Sequence, residues 1–561
     1  MTANHKTNTK SSAVMLWLML LIIPFGSIAQ TYNQIWDKTY GGASRDWNCA
    51  AFTSPTGSLF FIGDSQTDAN GDKTSALCGS PQENSDIWLM KVNQAGNIVW
   101  QRSYGGSADE RLPKLVFTNN SNGEMLMVCH SSSDISCDKT EPNRDTVPVI
   151  SNDYWICLLD SNGAIIWEKT YGGEGYDENV KAVQLASGEF LICGESKSPA
   201  GYDKSVPNYS ISNDYWALKL DPAGNKMWDR VYGGNNGEFF TGLIAESDGG
   251  FTLSGSTNSD VGFDISQPGQ GNLDFWMIRL DANGDKVWDK RFGGTGPEKC
   301  NSIIKTNDNG YLLTGFTVSP QSGDVSQPPK GLQDYWVVRT DSVGNKLWDQ
   351  RYGGSGGSFG THGARSIAGR FWISGYTNSS ATGDVTDPSF GGSDYWTLLI
   401  DAAGSKIWDK RWGGAADELN PMITSVNDSV LIVMGQSDSA GSSVKTAPSK
   451  GGIDYWAVKF GYADQALGLA QASIQQDAAF GVFPNPNDGH LKFIVPTRFQ
   501  QTTEPIIVKV MDAAGRMLFS ETVSSNITTQ KLQLNRFENG FYQLILVQGK
   551  EIVKSSFVMA K

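Results

Sequence analysis

One heptapeptide constrains this chain more than any other feature. It reads WDRVYGG at residues 228–234 and returns as WDKTYGG, WDKRFGG, WDQRYGG and WDKRWGG. A catalytic motif is written once, whereas a structural unit is written once per copy. The Trp of this word stands at Trp36, Trp100, Trp167, Trp228, Trp288, Trp348 and Trp408. A second word, Asp-aromatic-Trp or a near variant, stands at Trp88, Trp155, Trp216, Trp276, Trp336, Trp396 and Trp456. Each word occurs seven times, spaced by 60 residues in the later copies and by 61–67 in the earlier ones. A fixed period of this size signals a solenoid or a propeller.

One copy shows the unit. FFTGLIAE predicts a strand that ends in the turn SDGG, FTLSGST a second, DFWMIRLD a third after a long polar loop, and DKVWDKRF a fourth after the turn DANG. Four strands per copy and no helical period predict propeller blades. The chain enters with a lone fourth-type strand, IWDKTY, and the last copy ends after its third-type strand, DYWAVKF. The N-terminal strand can therefore complete the last blade and remove the open edges. The fold class predicted is all-β: a seven-bladed propeller of four-stranded blades closed by the N-terminal strand, followed by a small C-terminal β-sandwich. The repeated Trp are expected to pack between neighbouring blades, where a flat ring buries the most area. The Gly pair is expected to turn the chain through angles that a Cβ would forbid.

The outline is residues 1–29 as a signal peptide, 30–463 as the propeller, 464–479 as a linker and 480–561 as the terminal sandwich. Lys6 and Lys10 precede an apolar run over 13–25, and Ser27-Ile28-Ala29 supplies the small residues before a cleavage site. That run is too short to span a bilayer, and no later segment is apolar enough, so no transmembrane segment is expected. A net charge of −14 argues against nucleic acid and anionic lipid and makes acidic partners unexpected. Cations, neutral glycans and proteins stay open. Export permits disulfides. Of the seven Cys, Cys78 and Cys137 fall in corresponding loops of neighbouring copies and could bridge, while most others lie in strands as small buried hydrophobes.

Entries such as YGGSADE and second strands such as DGGFTLSGST resemble bacterial β-propeller repeats common in exported proteins. LDPAGNKMW is similar to the tryptophan-docking motif of quinoprotein dehydrogenases, one residue shorter. Those enzymes have eight blades and many carry a vicinal Cys pair; this chain has neither, so no quinone cofactor is expected. The tail closely resembles the type A C-terminal sorting domain of the type IX secretion system. The resemblance rests on Pro484, Asn485, Pro486 and Gly489, then Asp512 and Gly515, then Gly540-Phe541-Tyr542, then Lys561. It implies a Bacteroidota outer-membrane export route, the type IX machinery as partner, and removal of the tail with release or surface attachment.

Chemistry-bearing motifs are sparse. The four His are His5, His130, His362 and His490, none at ligand spacing from a partner, so neither a zinc site nor a Ser-His-Asp triad is supported. Gly353-Gly354-Ser355-Gly356-Gly357 fits GxSxG but lies in a link between blades, not between a strand and a helix. Four positions after each Gly pair an acidic residue recurs, at Asp46, Glu110, Asp177, Glu238, Glu298 and Glu418, with Ser358 the exception. Six carboxylates could ring the channel mouth and hold a hard cation such as Ca²⁺, or each could accept hydrogen bonds from its own turn. A loop word, Asp-[Lys/Ile/Val]-[Ser/Thr], begins at Asp72, Asp138, Asp203, Asp264, Asp324 and Asp384, where an Asx-turn would explain it. Trp47, Phe239 and Phe359 follow the acidic position without repeating, and could stack on sugar rings or simply pack locally.

The long loops after the second strands vary while the other turns do not, so the long-loop face is the expected binding face. Three functions remain in view: a non-catalytic secreted or surface module binding glycan or protein, a polysaccharide hydrolase or lyase using paired carboxylates, and a structural cell-envelope or adhesion protein.

Overall fold

The computed structural model describes residues 32–80, 84–120, 122–144, 151–365, 369–427, 429–442 and 444–462. In the tail it describes 482–483, 490–495, 499, 504–512, 517–524, 529–534, 537, 540–548 and 551–559. The N-terminal segment, the linker, and Pro484, Asn485, Pro486, Gly489, Gly515 and Lys561 lie outside the described residues.

Seven four-stranded antiparallel sheets follow one another along residues 32–462. Blade 1 consists of Asp46–Thr53, Leu59–Ser65, Asp86–Val92 and Ile98–Tyr104. The first strands of blades 2 to 7 are Glu110–Phe117, Asp177–Gln184, Glu238–Ala245, Glu298–Lys305, Ser358–Arg365 and Glu418–Asn427. These strands touch one another in sequence, and the seventh touches the first, so they form a closed inner ring. Blade 7 takes its fourth strand, Tyr32–Tyr40, from the N-terminal side, paired antiparallel with Asp454–Tyr462. The latch thus forms as the lone first strand predicts.

The second and third strands of each blade are almost wholly buried, because both faces are covered by neighbouring blades. The tail forms a three-stranded and a four-stranded sheet around a separate core that includes Phe493, Val508, Leu544 and Tyr542. Within it Asp512 pairs with Tyr542 across two strands, and Gly540 opens the strand that carries Tyr542.

Each letter of the repeated word has a physical task. The Trp ring lies half-buried at the rim against the next blade's last turn; Trp228 sits beside Gly284, and Trp348 donates its indole N–H to Ala402 O at 3.0 Å. The deepest tryptophans are those of the second word, from Trp88 to Trp456, which are fully buried in the third strands. The Asp accepts that buried indole: Trp216 donates to Asp229 at 3.1 Å, and Trp336 to Asp349 at 3.1 Å. The Tyr ties the ring together, since Tyr40, Tyr104 and Tyr232 donate to the carbonyls of Gly96, Gly163 and Gly284 in the next blade at 2.6, 2.6 and 2.7 Å.

The Gly pair works differently from the expectation. None of its members has a positive φ. Glycine is required by space: a Cβ on the first Gly would come within 1.8–2.3 Å of the carboxylate of the third-strand Asp, in all seven copies. On the second Gly it would come within 2.2–2.8 Å of a Ser or Thr side chain of the long loop. The torsional need for glycine falls instead on the turn before the fourth strand, as at Gly224, φ +83°, and Gly284, φ +85°.

Cys78 and Cys137 form a disulfide between the long loops of blades 1 and 2, with Cα atoms 6.3 Å apart. Cys49, Cys129, Cys157, Cys193 and Cys300 are free and buried.

Candidate functional site

The six recurring acidic residues do not form an open ring of ligands. Asp46, Glu110, Asp177, Glu238, Glu298 and Glu418 are all fully buried. Each accepts the N–H of the second Gly of its own link, at 2.7–3.1 Å. Each also accepts a hydroxyl from at or just beyond the end of its blade's second strand, at 2.6–2.9 Å. Among the described residues no three acidic, His or Cys side chains gather at metal-binding distance. The turn-capping alternative describes their geometry.

Burial raises these groups' affinity for protons. Desolvation pushes Asp46 and Asp177 up to about 7 and Glu110 up to about 8, against opposing hydrogen bonds from their hydroxyl partners. The third-strand Asp of the preceding blade lies alongside. Asp214 is raised to about 8, first by burial and then by Glu238 beside it, and Glu238 is raised chiefly by burial.

The loop word is a clasp, not an Asx-turn. Its Asp N–H donates to the carbonyl of the first Gly of the blade's incoming link, at 2.7–3.2 Å for Asp72, Asp138, Asp203, Asp264, Asp324 and Asp384. The Gly N–H returns a longer bond to the Asp carboxylate, at 3.1–3.4 Å. These repeated polar groups build the long-loop face and leave it to other residues to bind. Ser355 of the GxSxG stretch sits in such a link, its hydroxyl 3.2 Å from that of Ser380.

Where the copies stop agreeing, a cavity lies in the central channel. Every inner strand carries a β-bulge two to four residues after its start. At four bulges a residue other than Gly adopts positive φ: Asn48 at 51°, Leu112 at 55°, Asn179 at 54° and Asn420 at 53°. Bulges re-aim side chains, and backbone strain held in place by surrounding structure clusters at functional sites. Three of the four, Asn48, Leu112 and Asn420, line a cavity of about 350 Å³. Its aromatic wall is Phe316, Phe359 and Tyr376. Phe359 stacks on Tyr376 with centroids 4.8 Å apart and planes at 12°. Asn301, Lys114 and Lys299 complete the polar side, and no Asp or Glu lines the cavity.

Of the three aromatics singled out in the sequence, only Phe359 lines this cavity. Trp47 lies under the Arg111 guanidinium, 6.0 Å from its ring centroid, and the Phe239 ring lies beside Gly237. Sequence reasoning missed Asn48, Lys114, Asn301, Phe316 and Tyr376. Phe316 and Tyr376 had a signal, a column of the repeat in which the seven copies disagree: the residue after the second-strand Gly or its equivalent reads Asp64, His130, Glu195, Ser256, Phe316, Tyr376 and Gln436. Two of these anchor the bulges. Asp64 accepts from Asn48 Nδ2 at 2.6 Å and from Leu112 N at 2.9 Å; Glu195 accepts from Asn179 Nδ2 at 2.8 Å and from Phe240 N at 3.0 Å.

Comparison with known proteins settles the tail. Residues 481–560 match the secretion system C-terminal sorting domain. The chain therefore carries a type IX sorting domain, engages that machinery, and is exported to the cell surface or beyond. No helix among the described residues is long and apolar enough to cross a membrane. The chain is 26% identical over 184 residues to the regulatory protein FlaEY of Caulobacter vibrioides, a match spanning 31% of this chain and 19% of that protein. Among solved structures it resembles a protein of unknown function from Dyadobacter fermentans, with TM-score 0.41 and 10% identity over 77% of this chain and 99% of that one. It also resembles the Pan2 WD40 domain of Neurospora crassa, with TM-score 0.31 and 12% identity over 62% of this chain and 92% of that one. The propeller assignment rests on the sheet order and the closed inner ring.

Proposed function

We propose that the protein is an exported, non-catalytic binding module that takes a glycan in its central channel. The observation that carries this reading is the cavity lined by Phe316, Phe359 and Tyr376 on one side and by Asn48, Asn301 and Asn420 on the other. Aromatic faces beside amide groups suit a sugar ring, which presents C–H bonds on its faces and hydroxyls at its edge. The volume lies in the range of small-ligand sites. The lining offers no carboxylate pair for glycoside cleavage. Affinity electrophoresis through gels each containing one polysaccharide tests the proposal. Retardation in one gel, lost in Phe359→Ala, supports it. Unchanged migration in every gel would remove the glycan reading and turn attention to protein partners.

A further inference from the structure

The cavity carries a charge opposite to that of the whole protein. The chain has a formal net charge of −14, yet Lys114 and Lys299 line the cavity without any acidic side chain. Neither ammonium lies within ion-pair distance of a carboxylate among the described residues. The nearby Asp64 is fully buried, with both oxygens occupied by Asn48 and Leu112. Lys114 donates to the carbonyl of Pro113 at 3.1 Å, a neutral partner. In the next blade Lys181 donates to the Thr241 carbonyl, close enough to Lys114 that the two cations disfavour each other. Asp64 behind Lys114 and Glu195 near Lys299 are the carboxylates that act on these lysines, but neither lines the cavity, so the surface a ligand meets is cationic and would attract an anion.

We propose that the channel site recognises a carboxylate-bearing sugar ring, the acidic terminal unit of a glycan. This rests on the glycan reading above and sharpens it. The sugar's carboxylate would meet Lys114 and Lys299, its ring face the Phe359 and Tyr376 wall, and its hydroxyls the amides of Asn48 and Asn420. The cavity of about 350 Å³ has room for a sugar ring. At ionic strength near 0.15 M charges interact over about 8 Å, so the local lysines outweigh the distant acidic surface.

Calorimetric titration of the protein tests this. The probes are glucuronate- and galacturonate-terminated trisaccharides, their neutral gluco and galacto counterparts, and inorganic phosphate. The expected result is binding of an acid-terminated probe and weaker or no binding of its neutral counterpart. Lys114→Met and Lys299→Ala should each weaken that binding by about tenfold, the loss expected for one charge-assisted hydrogen bond. Lys299 is exposed, so its variant should melt like the parent and separates binding from folding. Equal binding of acidic and neutral probes would overturn the acidic-sugar inference and leave the glycan reading standing. Phosphate binding without uronate binding would overturn the sugar class and keep only an anion site. No binding of any probe, together with unchanged migration in every polysaccharide gel, would overturn both.

Discussion

Blades 4 to 6 and blades 1 to 3 place one buried cation at the same point from opposite directions. In blades 4 to 6 it is an Arg on the fourth strand, in the words WDKRFGG, WDQRYGG and WDKRWGG. Arg291, Arg351 and Arg411 reach Asp274, Asp334 and Asp394 at 2.6, 3.0 and 3.4 Å. The loop word there carries an apolar Ile265, Val325 or Val385. In blades 1 to 3 the loop word carries Lys73, Lys139 or Lys204, all buried, and the Arg position holds Ser103, Thr170 or Val231. Lys139 donates to Thr170 Oγ1 at 2.6 Å, filling the space an Arg would take. Blade 7 follows the lysine form, with Lys445 3.3 Å from Thr39 Oγ1. The fixed requirement is one positive charge beside the third-strand Asp; its source along the chain is free. A buried carboxylate needs a partner more than it needs a particular partner.

The largest test of that equivalence is a swap. Arg351→Thr alone strands Asp334 and should lower unfolding free energy by about 3–5 kcal/mol. The double variant Val325→Lys with Arg351→Thr rebuilds blade 5 in the lysine form and should regain most of that loss in denaturant titration. A double variant as unstable as the single one would break the comparison.

The lysine blades also hold the one disulfide found. Changing both Cys78 and Cys137 to Ser opens a loop of 59 residues. The loop-closure entropy sets an expected loss of about 4 kcal/mol, read as a lower melting temperature without reductant. The parent should shift by a similar amount when reductant is added.

A smaller effect is expected from pH. Asp46 and Asp177 rise from 3.8 to about 7, and Glu110 from 4.5 to about 8. Between those values the folded chain binds more protons than the unfolded chain, so stability falls as pH climbs through that window and is greatest below it. His130, lowered from 6.5 to about 4 by burial, works the other way, as one group against several. Melting temperature should therefore decline from pH 5 to 7.5, and Glu110→Gln should flatten the decline. A melting temperature that rises across that range would contradict the buried, protonated carboxyls.

The smallest effect is expected from calcium chelation. The six recurring carboxylates are spent on their own links, so adding a chelator should leave the melting temperature unchanged. A clear drop would return the acidic ring to a cation-binding role.

The closing strand, the blade count and the sorting domain were legible because each is local or repeated: a period survives in one dimension. The Gly pair was legible as a word but not as a mechanism. Its constraint is the carboxylate of Asp214 against Gly233, residues 19 apart in sequence that meet only when the third strand returns to the link. The acidic column was visible, but whether it faced the channel or its own turn depended on Ser and Thr hydroxyls delivered by a different strand.

The sequence by itself determined the seven blades, the latch and the export route, since hydrophobic alternation, turn residues and tail motif act over a few residues at a time. Tertiary structure alone decided the site. Asn48, Lys114, Lys299, Phe359 and Asn420 come from five different blades and share a cavity only because the ring closes. Bulges in the inner strands then turn their side chains away from the pattern that alternation would give them.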